Sequence, residues 1–455
     1  MRQENQEAAA AVIVEGQCAA ANLAELHDRL RPCFRRVGPF RQAERYLAAL
    51  MSDLPRKNGW TIAEHAGDAT PDRTQRLLNH AVWDHDAAVG VIRRFVVEQL
   101  GDQPLRVAAL DESGQEKQGV ATAGVQRQYM GCAGRIANGV NTVYCSYATL
   151  GGHGLVGARI YLPADQLADP ERRTQTGIGE EVQFRTKPEL AIDILTEMVA
   201  DHTMPPWCAG DEVYGRSAKL RRFCENHQIG YVLRVGCAFH LDLTPTLRLR
   251  ADQAVTRLLV DPGAWETRAV AGSKGERAYA WAWVATTSPR HFLLIRKHLL
   301  SGELAYHYCY MPPGRPATLA TLIAVACLRW PVEEGFEFGK DHFGLDHSQV
   351  RLHTALQRHI VLTMAALAVC AVTAADARTR APAPILPTSP DEQPPADPGL
   401  IALTVAEIKR LFILATRRLL PDTHHEHWTW WRRRHQARAR WFHHRARLRR
   451  QAATT

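Results

Sequence analysis

Hydrophobic spacing divides the chain into helical and strand-like stretches. Residues 1–104 carry apolar positions at helical spacing and predict a mainly helical N-terminal domain. Within it, TIAEHAGDATPDRTQRLLNHAVW (61–83) reads as two short helices split at Asp68-Ala-Thr-Pro71, with Pro71 in the first turn of the second. The texture then changes to short apolar runs bounded by turn residues. LRVAALDESG (105–114), TVYCSYATL (142–150), LVGARIYLP (155–163), PPWCAGDEVYG (205–215) and IGYVLRVG (229–236) predict strands. PELAIDILTEMVADH (188–202) and SAKLRRFCENHQ (217–228) predict helices between them. That order predicts an α/β domain whose sheet starts antiparallel and continues parallel.

Residues 240–310 interrupt this domain. They are rich in β-branched and aromatic residues and include AYAWAWVAT (278–286) and a hairpin, HFLLIRKHLLSGELAYHYCYM (291–311), turning near Ser301-Gly302. Helical texture returns over about 316–345. The apolar stretch from Ile360 to Ala375 is shorter than a membrane span and predicts a buried helix, and no membrane partner is expected. Residues 379–399 hold seven prolines and predict a linker. A last helix is predicted over 404–420, followed by a basic tail, and the C-terminal region as a whole is expected to be helical and basic. The expected domains are 1–104 (helical), 105–239 with 311–378 (catalytic α/β), 240–310 (β-rich insertion), 379–399 (linker) and 400–455 (helix and basic tail).

Composition adds little until charge is located along the chain. At 46% hydrophobic and 23% charged, the 455 residues are ordinary for a globular protein. The ten cysteines are dispersed, with no C-x2-C or C-x4-C spacing, which suits free thiols in a reducing cytoplasm rather than a zinc finger. The segment MRQENQEAAAAVIVEGQ lacks the basic start of a signal peptide. Residues 401–455, however, hold thirteen Lys and Arg against three acids, a net of +10, whereas the whole chain carries +9. A near-neutral body with a basic end predicts a polyanionic partner. HHEHWTWWRRRHQARARWFHHRARLRR (424–450) mixes arginines, including Arg432, Arg433 and Arg434, with aromatics, which suits backbone binding and base stacking; a disordered basic tail has the same composition. The helical pair at 61–83 carries Arg73, Gln75, Arg76 and Asn79 on its second member. It fits a helix-turn-helix that reads bases, or a generic helical hairpin.

The chemistry lies in carboxylates. Asp111 and Asp211 each close an apolar strand before a turn, a position where α/β proteins build sites. Either alone is common. With a third acid on a nearby helix they would make a cage for two divalent ions acting on a phosphodiester. RWPVEEGFEFGK (329–340) offers three glutamates. With Pro331 in the first helical turn, Glu333, Glu337 and Lys340 share a face, while Glu334 lies about 100° from Glu333. Periodicity keeps both Glu333 and Glu337.

The order LDESG, GDEVYG, then R-x3-E-x6-K resembles the DDE transposases of bacterial insertion sequences, in particular the cut-and-paste group with a β-rich insertion and a Y-x2-R-x3-E-x6-K signature. Arg329, Glu333 and Lys340 match that signature in register; Ala326 stands at its tyrosine position. The blocks GVQRQYMGCAGRIANGV (124–140), YLPADQLADPERR (161–173), FRTKPELA (184–191) and FGLDHSQVR (343–351) look like the actinobacterial branch. The resemblance covers roughly residues 30–350. It implies a ribonuclease-H-like fold and assigns Asp111, Asp211 and Glu333 as catalytic ligands of two Mg2+ ions, with Mn2+ able to substitute. It assigns Arg329 and Lys340 to DNA phosphates. It further implies transposon ends and target DNA as partners, a homodimer on paired ends, and a nucleoid-associated place in a bacterial cytoplasm. In relatives an aromatic of the insertion holds a flipped base. Trp265, Trp281 and Trp283 are available here, but burial in a core is the expectation for each.

Two rivals share parts of the pattern. A regulator derived from a transposase would keep the basic tail and helical start without needing all three acids. A glycosidase would explain paired acids, but not Arg329 and Lys340 in register or the tail.

Overall fold

The computed structural model describes residues 2–101, 103–272, 275–381, 399–417 and 419–452, with scattered positions between 386 and 395. Most of the predicted linker therefore lies outside the described residues.

The apolar run before Asp111 forms the first half of β1 (Arg106–Glu116). β1 pairs antiparallel with the long β3 (Arg135–Thr149), which is joined to β2 (Gln126–Met130) in a hairpin and also pairs with β4 (His153–Ile160). On its other edge β1 runs parallel to β5 (Trp207–Gly210), and β5 runs parallel to β6 (Gly230–Val235). The antiparallel start and parallel continuation match the pattern of the runs. A small pair, β7 (His240–Thr244) and β8 (Leu247–Arg250), stands apart. Then β9 (Glu266–Gly272), β10 (Gly275–Ala285), β11 (His291–His298) and β12 (Leu304–Tyr310) form a meander. β12 pairs with β6, so residues 240–310 lengthen the same sheet to ten strands. The result is a mixed α/β architecture consistent with a ribonuclease-H-like fold carrying helical regions.

Sixteen helices surround this sheet among the described residues. The N-terminal region holds α1 (Arg2–Arg29), α2 (Val37–Leu50), α3 (Gly59–His65), α4 (Asp72–Asn79) and α5 (His85–Leu100). Between strands lie α6 (Ala164–Ala168), α7 (Pro170–Thr176), α8 (Lys187–Ala200), α9 (Glu212–Gly215), α10 (Ala218–Asn226) and α11 (Ala251–Leu258). After the sheet come α12 (Leu319–Cys327), α13 (Pro331–Phe343), α14 (His353–Arg380), α15 (Val405–Thr416) and α16 (Asp422–Ala452).

α14 organises the helical side. It is apolar on nearly every face and packs against α1, α2, α4, α5, α13, α15 and β4. By length and composition it could cross a membrane, yet 94% of its apolar window is buried inside the protein. A helix apolar all round belongs in such a core. One cluster of buried side chains runs from Ala19 of α1 through the sheet to Phe412 of α15, so the helical start and the sheet share a core. One histidine of α14 is buried there, and His153 and His353 are partly buried beside it. In α14, His359 lies between the Tyr46 hydroxyl, 2.8 Å from Nδ1, and the Gly344 carbonyl, 2.9 Å from Nε2. Burial lowers His153, His353 and His359 to about 4 from 6.5. The unfolded chain takes a proton near 6.5 that the folded chain refuses, so this stability is present above pH 6.5 and is lost as pH falls towards 4. The melting temperature is expected to fall over that window, and to fall less steeply in His359→Gln.

The basic C-terminal region is helical, as expected. Its first helix is shorter than predicted, ending at Thr416 rather than residue 420, and the basic segment is one further helix of 31 residues. Its first turns dock on α3 and the turn after it. Trp428 is fully buried and its Nε1 donates to the Asp68 carbonyl at 2.8 Å. His424 Nε2 meets the Glu64 carbonyl and His427 Nε2 the Ala69 carbonyl, each at 2.9 Å. Trp431 meets Trp60 edge-on. Truncating a buried Trp costs about 3–5 kcal/mol. Trp428→Ala is therefore expected to release α16, seen as rapid trypsin cleavage within residues 432–450 while the remaining chain resists.

Candidate active site

Asp111 does not end its strand. β1 continues five residues to Glu116 because β3 extends to meet it, pairing Glu116 with Gly139. Ser113-Gly114, which reads as a turn locally, is extended backbone. Gly114 leaves room there for the end of the Met130 side chain, which a Cβ would displace. Asp211 does follow its strand, as the N-cap of α9, its Oδ1 accepting from the Val213 amide at 2.9 Å. Leu110 and Gly210 are paired in the parallel register, so the two aspartates occupy the next step of neighbouring strands.

Pro331 starts α13 and Gly344 ends it, with φ of 72° in the left-handed region. The helix lies over β1 and β3, Phe336 against Tyr144, the residue paired with Asp111. Arg329, just ahead of it, links the two elements. Its Nη1 donates to Asp111 Oδ2 and its Nη2 to Glu333 Oε1, both at 2.7 Å. Glu334 faces elsewhere, with Arg378 and Glu337 as its charged neighbours, and burial raises its pKa. Glu337 is exposed. Lys340 lines a small cavity beside the site with Ser113, Tyr144 and Asp346.

Electrostatics follow from this crowding. Burial pushes Asp111 up to about 7; Arg329 opposes the rise and Asp211 adds to it. Asp211 is raised by burial and then by Glu112. Burial works against the charge of Arg329, but Asp111 and Glu333 outweigh it and raise its pKa. A carboxylate cluster this enclosed calls for added positive charge, and one guanidinium supplies part of it. The all-oxygen donor set suits a hard divalent cation. As arranged, though, Arg329 stands between Asp111 and Glu333, and among the described residues no group of three acids or other ligands is gathered closely enough to hold a metal.

Glu112, Lys187 and Tyr214 do not stand out in the sequence. Glu112 points to the opposite side of β1 from Asp111. There it pairs with Lys187 at the start of α8 and accepts from the buried Tyr214 hydroxyl at 3.2 Å. All three sit inside the blocks LDESG, FRTKPELA and GDEVYG, but strand alternation alone does not show that they converge.

The other candidates lie away from this cluster. Arg73 and Arg76 are exposed on α4, with Arg73 3.5 Å from the buried Asp68. Arg432 is paired with Glu64 of α3, whereas Arg433 and Arg434 are exposed on α16, Arg434 over the Trp430 ring. Trp281 is buried, Trp283 stacks on Phe292, and Trp265 is partly buried under Lys297.

Residues 29–288 match the family described as DDE superfamily endonuclease. The chain belongs to that family. In this DDE endonuclease family member the match includes Asp111 and Asp211 and stops before Glu333. A relative described as a probable transposase for insertion sequence element IS701, from Microchaete diplosiphon, is 24% identical over 257 residues. Those residues are 55% of this chain and 64% of the relative, so the chain spans less than two thirds of that protein's length.

Proposed function

We propose that the chain is the transposase of an insertion sequence: it binds the element's terminal inverted repeats, cuts DNA there and joins the freed end to a target. The observation that carries this is the single guanidinium of Arg329 held by Asp111 from the sheet and Glu333 from α13, with Asp211 on the adjoining strand. Asp111, Asp211 and Glu333 would hold two Mg2+ ions, or Mn2+ in their place, which when bound neutralise charge developing on the phosphate oxygens. Water attacks the phosphodiester at the element's end and frees a 3′-hydroxyl, which then attacks another strand. Arg329 and Lys340 grip phosphates beside the scissile bond and fix its orientation. The helical domain (1–104) and the basic end (400–455) hold the flanking duplex through Arg73, Arg76, Arg433 and Arg434. Arg432 serves as the strut on Glu64 and reaches phosphate only when that pair opens. The family relationship further supports a homodimer on paired ends, acting on nucleoid DNA in the cytoplasm.

A second reading has one observation in its favour. With Arg329 between Asp111 and Glu333 and no preassembled ligand group among the described residues, a DNA-binding regulator that no longer cuts would look the same. Mg2+-dependent nicking of duplex carrying the element's terminal repeats decides between them. Nicking supports the transposase; binding without nicking supports the regulator.

A further inference from the structure

One row of residues crosses the sheet from the carboxylates into the insertion. Asp111, Asp211 and Arg234 are the next step after the paired Leu110, Gly210 and Leu233 of β1, β5 and β6. Arg234 is opposite His307 of β12. Cross-strand partners share a face and alternate residues return to it. Ala305, two before His307, pairs with Arg296 of β11, and Arg296 pairs with Trp281 of β10. Arg234, His307, Arg296 and Trp281 therefore stand on the sheet face that carries Asp111. At about 4.8 Å per strand, Arg234 is roughly 10 Å from Asp111 along the row, and His307 is one strand further.

Positive charge here is left unanswered. Arg234 and Arg296 are both half-buried, and among the described residues neither guanidinium makes a hydrogen bond or an ion pair. Arg296 lies over the Tyr279 ring, 4.6 Å from its centroid. The acids of the insertion on this face are placed elsewhere. Glu266, paired opposite Trp281, is held by Arg268 at 2.6 Å, and Glu303 is exposed just ahead of β12. Arg329 is committed to Asp111 and Glu333. Burial, then Arg296, Arg234 and Arg329, hold His307 down at about 3, so its ring is neutral. His307 Nδ1 has no partner among the described residues, and neither has Nε1 of Trp281, a side chain only 2% exposed. The two rings are 6.5 Å apart. A buried donor without an acceptor is costly. Two free guanidiniums beside such a donor complement an anion with several oxygens.

We propose that Arg234 and Arg296, with Trp281 Nε1 beside them, form an anion site that holds a phosphate of the DNA strand passing from Asp111 across the sheet to the insertion. The site rests on the reading of this chain as a DNA-acting protein. It is separate from Arg329 and Lys340, which serve the phosphates beside the scissile bond. A guanidinium fork matches phosphate oxygens, and half-burial removes part of the competing water. Holding the strand at a second point, away from the bond that is cut, fixes its direction over the carboxylates.

The test uses the full chain with its tryptophans labelled for NMR and a short fluorescein-tagged mixed-sequence duplex. Two variants accompany it, Arg234→Gln/Arg296→Gln and Arg234→Lys/Arg296→Lys, and Trp281→Phe identifies the Trp281 indole resonance. In wild type the duplex is expected to shift that resonance; in the Gln variant it is expected to leave it in place. One phosphate no longer neutralised takes about 0.9 from the slope of log affinity against log salt, so the Gln variant should be shallower by about that much. The Lys variant keeps the charge and should restore most of the slope. No ion pair is removed, so melting temperatures are expected to match wild type; should the Gln variant unfold, the wild-type resonance and the Lys variant decide. Wild-type binding that leaves the Trp281 resonance in place, or a folded Gln variant with an unaltered slope, overturns the site and leaves the transposase reading standing. The two arginines would then be internal counter-charge for the carboxylates. A resonance that inorganic phosphate shifts and the duplex does not would make this a site for a free anion, and also overturns it. Failure of wild type to bind any duplex removes the DNA reading itself, and the site with it.

Discussion

Replacing Asp111 by Asn, or Glu333 by Gln, is expected to abolish metal-dependent nicking while duplex binding survives. Each change keeps the side chain's size and removes one negative charge. Arg329 bonds to both acids at 2.7 Å, so either variant leaves that guanidinium half-balanced in an enclosed site. The phosphodiester gains charge in the transition state, and catalysis depends on groups already aimed at it. Losing one such group typically costs on the order of 10²–10³-fold, and a metal ligand more. In the proposed function binding has a different origin, in arginines of α4 and α16 that neither substitution touches. The measurement is supercoiled-plasmid nicking in Mg2+ beside fluorescence anisotropy on the same duplex. Equal loss of both would point to unfolding, which the melting temperature separates. Full nicking by Glu333→Gln would remove Glu333 from the site. Glu334→Gln is the matched control: facing Arg378 rather than Asp111, it is expected to leave nicking unchanged.

The helix geometry around Glu333 was legible because it is local. Arg329 and Glu333 are four apart, the spacing that brings side chains together on a helix, and Pro331 marks its first turn. The strands of the parallel core were legible for the same reason, as apolar runs between turn residues. Asp111 shows where local reading stops. Ser-Gly after an acid is turn chemistry, but β3 is long enough to pair with β1 past it, and non-local pairing wins over propensity. β2 was not read as a strand at all: QRQYM is short and mostly polar, and only its partner β3 makes it one. The attachment of residues 240–310 to the main sheet through β12 and β6 likewise joins segments distant in sequence. No pattern inside the segment specifies it. The bounds of α16 were not legible for another reason. A helix charged on every side has no apolar stripe, so periodicity cannot tell it from a disordered basic tail. Among the described contacts its N-terminal half, from His424 to His435, is the part that meets the rest of the protein.

Changing Arg433, Arg434, Arg438 and Arg440 together to Gln is expected to weaken duplex binding and to flatten its salt dependence. All four are exposed, and Arg438 and Arg440 lie beyond the docked turns of α16. Gln has nearly the helix propensity of Arg, so the helix should persist and the change is one of charge. Every phosphate that an arginine no longer neutralises takes about 0.9 from the slope of log affinity against log salt, so four such phosphates take about 3–4. The effect should be large at low salt and small at high salt, where counterion release no longer drives association. Docking of α16 depends on Trp428 and on Arg432 against Glu64, which remain, so resistance to chymotrypsin at Trp428 and Trp431 should match wild type and exclude detachment as the cause. An unchanged slope would place the phosphates elsewhere on the protein and make α16 a structural strap over α3. A slope reduced by the full amount, with nicking of saturated substrate unaltered, would separate the two tasks: the helix holds the duplex, and the cluster around Arg329 acts on one bond of it.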